Sequence, residues 1–220
     1  ATTVGALLNE SRRLWDCVEC SPDNPRLQWR RTRSGGRVAD RIDPVLDISP
    51  VISGLMEDPR MADTAAQLLG RETVAPFKAK LISKWPGTGG YGLHQDYPYW
   101  TGVEHVPPDA FVTAMVALDD FTPHAGAVEW FPGLHRSVLP GHPENPLDVD
   151  PRSIANAPSE MLEGHGGDVI WFHALLPHRS EPNRTQHNRQ ALFLTYITAE
   201  KADLSQVYYR KRPVDFMDPG

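Results

Sequence analysis

His94 and Asp96 stand two residues apart in the stretch WPGTGGYGLHQDYPYW, residues 85–100. In an extended strand, positions i and i+2 point the same way. The pair would then present one imidazole nitrogen and one carboxylate oxygen to a common point. That is two-thirds of a facial metal site. A second histidine arriving from elsewhere would complete the two-His, one-carboxylate set of non-haem Fe(II) oxygenases. A bare HxD is short and common, and a loop histidine beside a turn aspartate would explain it as well.

Nine histidines are available, and two of them, His173 and His178, lie in WFHALLPHRS directly after an apolar run. The cluster His178, Ser180 and Arg189 has physical sense beside an iron. His178 supplies a second nitrogen. Arg189 supplies a planar, always-charged fork that can hold a carboxylate bidentately, and Ser180 adds a hydroxyl to the same group. A metal at one end and an arginine at the other suit a dicarboxylate that chelates the metal through an α-keto acid. 2-Oxoglutarate is that molecule.

The stretch GDVIWFHALLPHRSEPNRTQHNRQALFLTYI, residues 167–197, resembles the distal half of the phytanoyl-CoA hydroxylase-like (PhyH) family of Fe(II)/2-oxoglutarate dioxygenases. The matching positions are Gly167-Asp168, Phe172-His173, His178, Ser180, Asn183 and Arg189. The proximal half matches through HQD at 94–96 and FVTAMVALDDFTPHAGAVEWFPGLHRS at 111–137. Ala125 replaces the family's Asn before Gly126, and Leu134 interrupts its usual PGSH. The resemblance covers about residues 26–200.

It implies a mainly β fold, a double-stranded β-helix (jelly-roll, cupin-like) core with flanking N-terminal helices. It implies Fe(II) held by His94, Asp96 and His178, with 2-oxoglutarate and O2 as cosubstrates. It picks His178 over His173 as ligand. Further contacts to 2-oxoglutarate are expected from Thr113 and from a lysine, Lys80 first and Lys84 second. Iron halogenases that resemble this family carry Gly or Ala at the carboxylate position, so Asp96 favours hydroxylation. The expected activity is hydroxylation of an unactivated C–H in a small metabolite or natural-product intermediate, with 2-oxoglutarate converted to succinate and CO2. Desaturation or epimerisation with the same cofactors is the near alternative. A jelly-roll that binds a metal without turnover is the distant one, and it has no need of Arg189 and Ser180.

The substrate is a small molecule. Tyr97, Tyr99, Trp100 and Trp130 lie near the expected mouth, where they either pack the barrel end or, in one or two cases, face the substrate. Lys78, Lys80, Lys84 and the arginine-rich stretch 26–41 point instead to an anionic group such as carboxylate or phosphonate.

The elements that must position these residues follow from patterning. The 220 residues are 40% hydrophobic and 23% charged, with 21 Pro and 17 Gly, and short apolar runs alternate with turn residues. That favours one β-rich domain, with helices and a hairpin over 1–70 packed on a core over 74–200. A net charge of −6 argues against a nucleic-acid surface. No run of about 18 apolar residues occurs, so no membrane span is expected. With no signal peptide visible, a cytoplasmic location is expected. The chain opens on Ala1 inside a helical-looking stretch, so its true N-terminus is expected upstream. Cys17 and Cys20 form a lone CxxC, read as structural or incidental.

Helices are predicted over 1–20, 51–57 and 60–69, the last ending at Gly70. Residues 26–41 read as a hairpin turning at Ser34-Gly35-Gly36. Residues 74–84 alternate, with Lys78, Lys80 and Lys84 on one face, which either lines a site or forms an exposed edge. Strands follow over 110–118, 128–131, 168–173 and 190–198, with His178 outside any strand. A long loop is predicted over 139–160, and a last strand at 207–209.

Overall fold

A computed structural model describes residues 3–19, 23–32, 35–100 and 102–211. Ten strands form two antiparallel sheets. Their ranges are β1 Leu27–Arg31, β2 Arg37–Ile42, β3 Val74–Lys84, β4 Tyr91–His94, β5 Phe111–Ala117, β6 Val128–Trp130, β7 Glu160–Met161, β8 Val169–His173, β9 His178–Ser180 and β10 Arg189–Thr198. One sheet runs β1-β2-β3-β10-β5-β8 and the other β4-β9-β6-β7. Counted from β3, the eight core strands alternate between the sheets in the order 1-8-3-6 and 2-7-4-5. This is the winding of a double-stranded β-helix, or jelly roll, whose paired sheets leave few open edges.

Helices cover the outer face of the larger sheet. They are α1 (Val4–Glu19), α2 (Pro50–Glu57) and α3 (Pro59–Leu69). Local chemistry sets their ends. Ser49 and Asp58 cap α2 and α3, each followed by Pro in the first turn, and Gly70 ends α3 at φ +60°. Leu14, Trp15, Ile52, Met56 and Ala65 pack there on Ala79, Leu81, Leu192 and Leu194. β3 is therefore buried on both faces, one apolar and under the helices, the other lysine-bearing and facing the opposite sheet.

Two expectations are corrected, and one open alternative is resolved. Residues 207–209 are not a strand but part of helix α4 (Leu204–Lys211), because Leu204 and Tyr208, four apart, bury one helical face. Ser205 Oγ of this helix donates to Phe77 O, and Tyr208 closes the barrel end with Phe77, Trp100 and Phe111. His178 is not outside a strand but opens β9. The lysine face of β3 is not an exposed edge, since β3 lies between β2 and β10.

The 139–160 segment is irregular, broken by a short 3-10 turn at Pro151–Ile154. Ser34, in the expected hairpin turn, and Cys20 lie outside the described residues, while Cys17 is an exposed free thiol. No helix among the described residues is long and apolar enough to cross a membrane.

Candidate metal and cosubstrate site

Pairing of β4 with β9 sets His94 directly opposite His178, although they stand 84 positions apart in the chain (178 − 94). Their rings lie 4.2 Å apart, centroid to centroid. Asp96 reaches the same point by a different route from the one its spacing suggests. β4 ends at His94, and Asp96 has helical backbone (φ −67°, ψ −41°) at the start of a 3-10 turn over Tyr97–Tyr99, which contains Pro98. The turn, rather than a shared strand face, swings its carboxylate round. One donor atom from each of the three lies within 4.8 Å of the others.

The chemical state of the donors suits a divalent ion. Nδ1 of His94 donates to Gly92 O (2.7 Å) and Nδ1 of His178 to Leu176 O (2.9 Å), which leaves Nε2 of each ring free to ligate. Burial and the neighbouring His94 ring push His178 down to about 3, so the imidazole is neutral at pH 7. Burial by itself would raise the Asp96 carboxyl, but the Lys80 ammonium and the two imidazoles outweigh it and hold it well below the usual carboxylate range. Two neutral nitrogens and an ionised oxygen are what ligation requires. The rings are fixed by packing, with Trp130 stacked on His178 (5.2 Å, 28°) and Tyr99 edge-on to His94 (5.9 Å).

Along the inward face of β3, each lysine meets a different environment. Lys78 Nζ lies 3.6 Å from Asp43, and Lys80 Nζ lies 3.7 Å from Asp96. Burial brings Lys80 down to about 8. Lys84 has only neutral acceptors: Ser180 Oγ at 2.7 Å, Gly126 O at 3.0 Å and Glu181 O. Burial, and then repulsion from Arg189, pushes it to about 6. Arg189 pairs across the sheet with Lys84, donates one hydrogen bond to Gly126 O (2.6 Å), and keeps a buried Nε with no partner. A buried guanidinium with an unused donor, and a buried lysine that an incoming anion would charge, form with the Ser180 hydroxyl a cradle for a carboxylate. The residues present thus fit both Fe(II) and 2-oxoglutarate.

Of the other residues singled out from sequence, Thr113 shares a hydrogen bond with Thr195 (3.0 Å) deep in the larger sheet, away from the Lys84–Ser180 cradle. Tyr97 donates to Val106 O and, like Trp100, packs in the apolar cluster at the barrel end. His173 faces Asp109 at 3.0 Å. Tyr99 bonds Asp148, tying the 139–160 segment to the metal site. Sequence reading passed over Tyr91 and Asp40. Tyr91 OH donates to Asp40 Oδ2 (2.8 Å), which also accepts from Arg30 Nε (2.6 Å). The one available signal was the pair of acids, Asp40 and Asp43, set among the arginines of the hairpin.

Jelly-roll sheets, two histidines with a carboxylate, and a basic carboxylate cradle are together the arrangement of Fe(II)- and 2-oxoglutarate-dependent dioxygenases. A sequence model of the phytanoyl-CoA dioxygenase (PhyH) family matches residues 2–191. The chain belongs to that family and is an enzyme of this class. It is 31% identical over 188 residues to a methylphosphonate hydroxylase of Gimesia maris, covering 86% of this chain and 69% of that one. It is 26% identical to a 2-aminoethylphosphonate dioxygenase of an uncultured bacterium, covering 83% and 68%. Among solved structures it is similar to EctD from S. alaskensis with bound Fe (TM-score 0.74, 25% identity, 98% of this chain and 73% of that one). It is also similar to EctD with 2-oxoglutarate and 5-hydroxyectoine (TM-score 0.72, 25% identity, 91% and 70%).

Proposed function

We propose that this chain hydroxylates a C–H bond of a small, anionic organic molecule of the phosphonate type, at a metal held by His94, Asp96 and His178. The observation that carries the reading is the convergence of those three donors within 4.8 Å, beside a buried carboxylate cradle. The phosphonate-oxidising relatives, 31% and 26% identical, support the substrate class. When bound, Fe(II) and 2-oxoglutarate supply the oxidising chemistry: O2 is consumed, 2-oxoglutarate leaves as succinate and CO2, and one oxygen atom enters the substrate C–H.

The protein's own part is placement and exclusion of water. His94 and His178 offer Nε2, and Asp96 offers a carboxylate kept ionised by Lys80. Arg189 and Ser180 take the far carboxylate of 2-oxoglutarate. Lys84 joins them in the role expected first of Lys80, because Lys84 is the lysine that touches Ser180. The buried Trp130 and Phe172 wall the His178 side against water.

Two measurements test this. Under argon, the wild type with Fe(II) and 2-oxoglutarate should develop a weak visible charge-transfer band, and Asp96→Ala should not. In air, short phosphonates should yield succinate and a product heavier by one oxygen atom. A band or coupled product that survives Asp96→Ala would sink the site assignment. A band without turnover on any such substrate would leave a binding protein.

A further inference from the structure

Among the described residues, three basic side chains that face the space between the sheets have no carboxylate within ion-pair distance: Lys84 and Arg189, both buried, and Arg41, half-buried. The first two share the cradle assigned to 2-oxoglutarate. Arg41 does not. It stands opposite Ile82 of β3, and cross-strand partners share a face, so its side chain enters the same interior as Lys80 and Lys84. Its Nε is buried and makes no hydrogen bond. Its guanidinium carbon lies 5.4 Å from the Tyr91 ring, and its charge acts on both His94 and Lys80.

A backbone irregularity accounts for this placement. β1 pairs with β2 through Gln28↔Arg41 and then Trp29↔Ala39, so Asp40 is an extra residue, a β-bulge. A bulge breaks the alternation of a strand and re-aims its side chains. Consecutive residues Asp40 and Arg41 thereby both come to Tyr91. Burial alone would lower the Arg41 guanidinium, but Tyr91 and Asp40 outweigh it and keep it charged, while Asp40 Oδ2 also accepts from Arg30 Nε and Tyr91 OH. The guanidinium is thus kept charged while its buried Nε faces no acceptor. A ligand anion would complete it.

We propose that Arg41 anchors the oxyanion of the organic substrate, phosphonate or carboxylate, beside the metal. The proposal rests on the reading above, in which Lys84 and Arg189 are committed to 2-oxoglutarate. The guanidinium fork matches two oxygens of either group.

The test is calorimetric titration of methylphosphonate, 2-aminoethylphosphonate and propionate into the anaerobic enzyme loaded with Fe(II) and 2-oxoglutarate. Dimethyl methylphosphonate serves as the neutral comparison. In the wild type, at least one anion should bind and the ester should not. Arg41→Met should weaken that binding roughly 10- to 150-fold, as expected for a lost charge-assisted pair. Arg41→Lys should recover part of it, and the 2-oxoglutarate band should stay unchanged in both. Which anion binds separates phosphonate from carboxylate. Equal binding of ester and anion, no anion binding, or undiminished binding by Arg41→Met would each overturn the proposal. So would loss of the band in a folded Arg41→Met, which would move Arg41 to the cosubstrate. If Arg41→Met does not fold, Arg41→Lys and the ester comparison decide. Failure of the wild type to give any band would instead count against the metal and cosubstrate reading.

Discussion

Raising the pH from 6 to 8 should weaken 2-oxoglutarate binding by about 50-fold, and Lys84 should be the cause. In the free protein its ammonium is held at about 6 by burial and by Arg189 across the sheet, while Arg189 itself stays charged, at about 10. A carboxylate placed between them would favour the charged lysine. Above pH 6, binding must therefore take up a proton. If the charged form alone binds, the apparent Kd scales as one plus ten to the power of pH minus 6. It rises about 5-fold from pH 6 to 7 and about 9-fold from pH 7 to 8. The assay is anaerobic titration of 2-oxoglutarate at fixed Fe(II), followed by the visible band. Calorimetry in buffers of different ionisation enthalpy then counts the proton. Lys84→Met should bind more weakly at pH 6, show almost no pH dependence, and converge with the wild type by pH 8. A flat wild-type profile, or the same slope in Lys84→Met, would refute the placement of Lys84 at the cosubstrate carboxylate.

Two further outcomes follow from the same geometry. Gly126 has φ +72°, and a Cβ there would stand 2.4 Å from Glu181 O and 2.8 Å from Lys84 Nζ. Gly126→Ala should lower stability by roughly 2 kcal/mol or more and raise the KM for 2-oxoglutarate, whereas Gly70→Ala, at φ +60° with open space, should show only the backbone strain in thermal unfolding. The metal-free protein should also lose stability on acidification from pH 6.5 to 4. His178 is neutral in the fold down to about 3, while the unfolded chain takes up the proton near 6.5. The unfolded state therefore binds more protons throughout that window, which amounts to about 3 kcal/mol by pH 4 for this one ring. Urea unfolding at pH 7, 6, 5 and 4 measures it, and a flat profile in the metal-free protein would contradict a buried neutral His178.

Much of this site was legible in sequence as residues and little of it as geometry. The candidate ligands stand in local patterns, HQD and the His178–Ser180–Arg189 spacing, because each segment is short. Their meeting depends on the β4–β9 register, a long-range pairing that no local periodicity encodes. Asp96 shows the difference in miniature. Its i+2 spacing pointed to a strand, but the 3-10 turn with Pro98 brings the carboxylate in. The 207–209 run failed for the opposite reason: three β-favouring residues outweighed a helical pair, Leu204 and Tyr208, whose partners include Phe77 and Trp100, more than 100 residues away. The bulge at Asp40 left no trace in composition.

β3 explains why burial was the hardest property to read. Three lysines on one face of a strand are what a solvent-facing strand looks like, and an apolar face of equal volume would be the more stable choice between two sheets. The strand tolerates them because its other face, with Ala79 and Leu81 under the helices, supplies the packing. Along the barrel Lys78 and Lys80 then stand about 7 Å apart and Lys80 and Lys84 about 13 Å apart, with Ile82 between them. Lys78 meets Asp43, Lys80 meets Asp96, and Lys84 meets only neutral acceptors. The first two are balanced by the protein itself. Lys84 and Arg189, and the unpartnered Nε of Arg41 across on β2, are the positions that a bound anion would complete. That is the physical reason to expect two anions in this barrel, a cosubstrate at one end and a charged substrate beside the metal.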